Sequence, residues 1–203
     1  MAGSDVIPVI ISDEVALDAD GISTAAAVGN NAALTIGGAL ASGGSVTNAS
    51  GRQVTILSAG DDSGISFTVV GTDVNGSALS ETVTGADTGT ATSSGYFKTI
   101  TSITAVGDPA GNVSAGINNN ALGVVFAGRC RLQGFSTVSG GSAGTINIRN
   151  ASATGTELIQ ARTIGTDSSA EDPFVPEDGV LFTDGCYVTF VVGTVDLMMF
   201  YHA

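Results

Sequence analysis

The side chains that could act as nucleophiles, general bases or metal ligands are few in this sequence, and they lie far apart. The 203 residues contain one histidine, His202, and two cysteines, Cys130 and Cys186. A Ser-His-Asp arrangement needs a histidine held on a rigid element by an orienting acid. A penultimate residue is expected instead to lie in a frayed, solvated tail. We therefore predict no catalytic residue and expect the protein not to be an enzyme.

Metal and cofactor sites are not expected either. A zinc site requires three or four histidine and cysteine ligands, which this chain does not supply in one place. Residues 18–21 and 73–76 resemble the start of a calcium loop, but neither is followed by a glutamate at the twelfth position. Turn formation by Asp and Asn explains both segments. The only lysine is Lys98, and no glycine-rich phosphate loop opens a helix, so no cofactor is predicted.

The two cysteines fall on the apolar faces of predicted strands. Free cysteine is among the most frequently buried residue types, so we expect two buried thiols. The alternative is a disulfide, which would need an oxidising compartment. No basic residue precedes the first apolar segment, so we do not expect this segment to be a signal peptide, which begins with a positively charged region. We expect synthesis in a bacterial cytoplasm.

The charge balance restricts the partners of the protein. Six Lys and Arg residues stand against nineteen Asp and Glu residues, which gives a net charge of −13. No basic patch is present to neutralise phosphates, so nucleic acid is not an expected partner. An acidic surface also repels anionic lipid, and no apolar run approaches the roughly eighteen residues of a membrane span.

The elements that position these residues are predicted to be strands. Residues 51–85 show this pattern most clearly. Ile65, Phe67 and Val69 alternate with polar residues, which places the three apolar side chains on one face of a strand. Residues 73–76, with the sequence DVNG, predict a tight hairpin in which Asn-Gly supplies positive φ angles. A turn at 61–64 leads back to a strand at 52–58, and the three strands are predicted to form an antiparallel meander.

The whole chain fits an all-β class, because its many glycines separate short alternating runs of β-branched residues. We predict two antiparallel β-sandwich domains. An extended N-terminal arm covers residues 1–20, an immunoglobulin-like sandwich covers 21–118, and a second small sandwich or jelly-roll-like domain covers 122–203. The polar triplet at 118–120 predicts a hinge between the domains. In a strand at 96–106, the change of apolar parity predicts a bulge near 99–101.

The N-terminal segment is the candidate docking element. Pro8 confines it to a sheet edge or an extended arm. It is either an edge strand of the first domain or an arm that pairs with the sheet edge of another protein. In the second interpretation the docking residues are Val6, Ile7, Val9, Ile10 and Ile11.

The C-terminal hairpin is apolar on both faces, which is typical of strands buried on both sides. This pattern predicts packing against a second body, either the first domain or another subunit. The candidate residues for subunit packing are Tyr187, Met198 and Phe200. A homo-oligomer is therefore expected.

Several segments of the sequence resemble the β-sandwich repeats found in structural proteins of tailed bacteriophages. They are GRQVTILSAGDDSGISFTVVGTDVNGSALSETVTG at 51–85, GYFKTITSITAVG at 95–107 and AGNVSAGI at 110–117. The C-terminal GVLFTDGCYVTFVVGTVDLMMFYH at 179–202 is similar to short phage virion proteins that end in a glycine-rich hairpin.

The resemblance implies a non-enzymatic virion protein, and a capsid decoration or cement protein is the favoured type. Its expected partner is the major capsid protein or another virion protein, and its expected location is the virion. A tail, neck or fibre-base protein is the first alternative. A carbohydrate-binding or adhesive β-sandwich is a more distant one, since this chain has no tryptophan and three tyrosines.

Overall fold

The computed structural model describes residues 6–12, 17–139, 143–164, 170–171, 174–191 and 195–203. These residues form antiparallel sheets and turns, and they include no helix. The predicted all-β class is therefore confirmed. No helix in the described part of the chain has the length and apolar character needed to cross a membrane.

Strands account for most of the described residues. In chain order they are β1 (Ile7–Ser12), β2 (Asp18–Ala27), β3 (Ala41–Ser42), β4 (Ser45–Asp61), β5 (Ser66–Thr72), β6 (Ala78–Thr84), β7 (Asp87–Thr92), β8 (Phe97–Val106), β9 (Asn112–Phe126), β10 (Cys130–Ser139), β11 (Ala143–Asn150), β12 (Glu157–Ile164), β13 (Ala170–Glu171), β14 (Val180–Phe182), β15 (Cys186–Val191) and β16 (Val195–His202).

The chain divides into two compact units. The middle unit comprises Leu17–Asn118, and the terminal unit combines the described residues of Met1–Ala16 with those of Asn119–Ala203. The N-terminal segment therefore belongs to the same unit as the C-terminal half of the chain. One of the two interpretations of this segment, an edge strand of the first domain, is therefore not what the structure shows. Instead β1 pairs with β16 over its whole length, from Ile7 opposite Tyr201 to Ser12 opposite Asp196.

In the middle unit, β5 lies between β6 and β8, and β8 also pairs with β4. The predicted meander is therefore wrong in one pairing, since β4 is not the neighbour of β5. Alternation shows which face of a strand is apolar, but it does not show which strand lies beside it. The large side chains that fill the core of this unit include Phe67, Phe97, Ile56, Ile100 and Ile103, all fully buried.

The hairpin between β5 and β6 forms at the predicted position with a different turn. The Gly76 amide donates to the Asp73 carbonyl, and the Asp73 amide donates to the Ser77 carbonyl. Gly76 has a φ of 81°, whereas Asn75 is not among the residues with positive φ. One left-handed residue after a β-turn forms the G1-bulge type of connection rather than a two-residue turn. The Asp73 carboxylate reinforces it by accepting the amides of Asn75 and Ser77.

The predicted bulge in the strand at 96–106 is confirmed. Val70 is opposite Ser102, and the next residue, Gly71, is opposite Ile100, so Thr101 is the extra residue. The displaced backbone comes very close to β5, because a Cβ placed on Gly71 would lie 1.8 Å from the carbonyl oxygen of Thr99. A glycine at 71 is therefore required by the bulge on the neighbouring strand.

Substitution of Gly71 by alanine is expected to destabilise the protein by about 1–3 kcal/mol, because overpacking against a backbone atom forces the strands apart. Gly64→Ala is the matched control, since a Cβ there meets nothing within 4 Å. Urea unfolding of both variants measures the difference. Equal midpoints for Gly71→Ala and the wild type would contradict the close approach.

In the terminal unit, side chains from two sheets share one core. One sheet has the order β1-β16-β10-β13, with β14 also paired to β10, and β12, β11, β15 and β9 are successive neighbours in the other. The shared core contains Ile11, Leu132, Phe135, Ile148, Phe182, Val188, Phe190, Leu197 and Met199, among others. This arrangement is sandwich-like, and it uses the N-terminal segment as one of its strands.

The predicted break of the strand pattern at 118–120 is not seen, because the three asparagines lie inside the 15-residue strand β9. The division between the two units nevertheless falls in this triplet, between Asn118 and Asn119. Polar turn formers are tolerated here because their polar groups have partners. The Asn118 carbonyl accepts a hydrogen bond from the buried Arg52 guanidinium, and the Asn118 side chain donates to Gln53. Buried polar groups with hydrogen-bond partners are compatible with a strand position.

Candidate functional site

Two cysteines from the two sheets of the terminal unit meet in its core. Cys130 is the first residue of β10, and Cys186 is the first residue of β15. Cys186 pairs with Phe126 at the end of β9, and only residues 127–129 separate Phe126 from Cys130. The short connection from β9 to β10 therefore carries the chain from one sheet to the other beside both cysteines.

Both thiols are free and buried, with 3% of Cys130 and none of Cys186 exposed. This confirms the expectation of two buried free thiols. Their side chains are hydrogen-bonded to each other, and this bond lowers the pKa of Cys130 from its usual value. The same bond, together with burial, raises the pKa of Cys186. Of the two thiols, Cys130 is therefore the one that loses its proton more readily.

A small pocket leads to one member of the pair. Its volume is about 260 Å³, and it is lined by Arg129, Cys130, Arg131, His202 and Ala203. Arg129 and His202 are exposed, and the Arg131 guanidinium is anchored by donating to the Asp178 carbonyl at 2.9 Å. Two of the six basic residues of an acidic chain thus flank one cysteine.

His202 does not lie in a frayed tail. It belongs to β16 and pairs with Arg131 of β10, so the prediction of a frayed end is wrong for this residue, while its side chain is exposed as predicted. The apolar residues before it explain the difference, since Leu197, Met199 and Tyr201 are buried and hold the strand in the sheet up to its end.

The predicted docking residues lie on both sides of β1. Ile11 is buried and Val9 packs on the core, so these two side chains are covered within their own chain. Ile10 points to the opposite side and is 66% exposed. Val6 and Ile7 are each 42% exposed.

The residues predicted for subunit packing also separate into two groups. Tyr187 is buried within its own chain with 6% of its surface exposed, which leaves little of it for another subunit. Met198 is 42% exposed, and Phe200 is partly exposed. Register places Met198 opposite Ile10 and Phe200 opposite Pro8, so these four residues share one side of the sheet. We call them the outer apolar face.

The acidic segments serve as turns and local contacts. The Asp18 carboxylate accepts a hydrogen bond from the Asp20 amide, and Asp73 caps the β5–β6 connection as described above. Among the described residues, no three or more His, Cys, Asp or Glu side chains form a group that could hold a metal ion.

Comparisons with protein-family models, with curated proteins and with solved structures found no match for this chain. The candidate sites therefore rest on their own geometry. The thiol pair and its pocket had one signal in the sequence, namely that Cys130 lies between Arg129 and Arg131. The sequence alone does not connect Cys130 with Cys186, because 55 residues of unknown path lie between them.

Proposed function

We propose that the protein is a non-enzymatic structural protein of a tailed-phage virion, and that it decorates the capsid lattice. The observation that carries the proposal is the outer apolar face of β1 and β16, which lies next to a sheet edge. Ile10 and Met198 are exposed members of this face, with 66% and 42% of their surface accessible. Exposed apolar surface at a sheet edge is typical of sites that bind other proteins.

The edge position of β1 supports docking by strand addition. In the described part of the chain, β1 is the edge strand of its sheet and pairs only with β16. Its second edge offers backbone donors and acceptors to a strand of a partner, while Ile10 and its neighbours on the outer apolar face supply apolar contacts. The partner would be the major capsid protein or another virion protein, and packing through Met198 and Phe200 would support a homo-oligomer.

Decoration is favoured over a shaft or fibre because the chain contains two compact units and no long repeat. The resemblance of residues 51–85 and 179–202 to virion proteins supports the same class. The net charge of −13 suits a protein that stays soluble until it assembles.

The experiment that tests the proposal is a measurement of copy number by quantitative mass spectrometry of purified particles. Decoration of the head predicts a fixed ratio of this protein to the major capsid protein, of the order of one copy for each one to three capsid subunits, as lattice symmetry requires. A few copies per particle would place the protein in the neck or tail. Absence from particles would reject the virion proposal and favour the adhesive alternative.

A further inference from the structure

We propose that Cys130 and Cys186 form a thiol–disulfide exchange site that reacts with anionic low-molecular-weight disulfides. The product is an internal disulfide joining the two sheets of the terminal unit. The inference concerns a modification site of this chain and does not depend on the proposed function.

Proximity is the first requirement, and the structure meets it. The two side chains are already hydrogen-bonded to each other in a shared core, and they come from strands in different sheets. A disulfide requires the sulfur atoms to approach to about 2.05 Å, which is a small displacement for two thiols in contact. Cys130 and Cys186 are each the first residue of their strands, where turns at 127–129 and 183–185 adjoin them.

Access is the second requirement, and it differs between the two cysteines. Cys130 lines the pocket with Arg129, Arg131 and His202 and keeps 3% of its surface exposed, whereas Cys186 does not line the pocket and is fully buried. A reagent that enters the pocket therefore meets Cys130 first. The reacting species in exchange is a thiolate, and the hydrogen bond from Cys186 favours this form on Cys130.

The charge of the pocket selects the kind of disulfide. Arg129 and Arg131 line the pocket together with Cys130, in a chain whose net charge is −13. Guanidinium groups bind carboxylates in paired hydrogen bonds, so a disulfide that carries carboxylates gains contacts that a neutral disulfide does not.

The reaction balances without a further oxidant. The Cys130 thiolate attacks one sulfur of the small disulfide, forms a mixed disulfide and releases one thiolate, which takes up a proton from water. Cys186 then loses its proton to solvent and attacks the Cys130 sulfur, so the second small thiolate leaves. The two protein thiols are oxidised to one disulfide, and one small disulfide is reduced to two small thiols.

The test uses the full chain, first reduced and then incubated under native conditions with glutathione disulfide. Mass spectrometry is expected to show a product lighter by two hydrogen atoms, and peptide mapping is expected to place the bond between Cys130 and Cys186. The midpoint of thermal unfolding is expected to rise by about 5–10 °C, because the new bond closes a long loop in the unfolded chain. Two free thiols after prolonged native incubation would overturn the inference.

Two serine variants test the order of the steps. Cys186→Ser is expected to accumulate the mixed disulfide on Cys130, since the resolving thiol is absent. Cys130→Ser is expected to leave Cys186 modified at least about tenfold more slowly, because Cys186 is buried. Equal rates for the two variants would show that the pocket does not direct the reaction. If either variant fails to fold, the experiment on the wild-type chain still shows whether the disulfide between Cys130 and Cys186 forms.

The role of the pocket charges has a separate readout. Replacing both Arg129 and Arg131 by glutamine is expected to slow the first step with glutathione disulfide by about tenfold, through loss of attraction for its carboxylates. The reaction with neutral bis(2-hydroxyethyl) disulfide is expected to keep its rate, because this disulfide carries no charge for the arginines to attract. Arg162→Gln, an exposed change in β12 of the same unit, is the matched control. An equal loss with both disulfides would refute anion selection.

Discussion

Replacement of Phe190 by alanine is expected to destabilise the protein by about 3–5 kcal/mol, since it removes a large side chain from a packed core and leaves a cavity. Phe190 is 1% exposed and belongs to the core shared by the two sheets of the terminal unit. On β15 it stands opposite Ile146 of one neighbouring strand and Ala121 of the other. Relaxation is restricted because both neighbours are themselves fully buried.

Phe174→Ala is the matched control, because it makes the same chemical change at a side chain that is 89% exposed. It is expected to change stability by less than about 0.5 kcal/mol. Chemical denaturation of both variants gives the comparison as a shift in midpoint at constant slope. Comparable losses for the two variants would contradict the placement of Phe190 in the core.

Local features of the fold were predictable because they depend on residues close together in the sequence. Alternation in 65–69 and 79–83 identifies two strands, and DVNG at 73–76 places the turn between them. The change of apolar parity in 96–106 predicts the bulge near 99–101, because an extra residue shifts every later side chain to the other face. The burial of Cys130 and Cys186 follows from their positions on apolar faces.

Neighbour relations were not predictable in the same way. The N-terminal segment pairs with β16 at the far end of the chain, and nothing in its own sequence specifies that partner. The triplet at 118–120 indicates a break in the strand when only neighbouring residues are considered. The partners that accommodate Asn118 inside β9, Arg52 and Gln53, are more than sixty residues away in the sequence. The thiol site depends on the same long-range relation, because only the meeting of two sheets brings Cys130 to Cys186.

The outer apolar face leads to the prediction with the largest expected effect on assembly. Ile10→Lys and Met198→Lys are each expected to weaken binding to particles by about 30-fold or more, as loss of an apolar anchor typically costs about 2 kcal/mol at a protein interface. Point variants are better suited than removal of residues 1–12, because Ile11 is part of the core and truncation would expose β16. The substituted side chains are exposed, so the fold is expected to be kept.

Val106→Lys is the control for added charge, since Val106 is 53% exposed on β8 of the middle unit and lies outside the outer apolar face. Co-sedimentation of each variant with particles lacking the protein measures the affinity, and unchanged thermal unfolding checks the fold. Weaker binding by Ile10→Lys and Met198→Lys alone would assign docking to β1 and β16. Normal binding by both variants would reject this edge as the docking element. Equal weakening by Val106→Lys would attribute the effect to the added charge, because a lysine outside the face would then act as strongly as one within it.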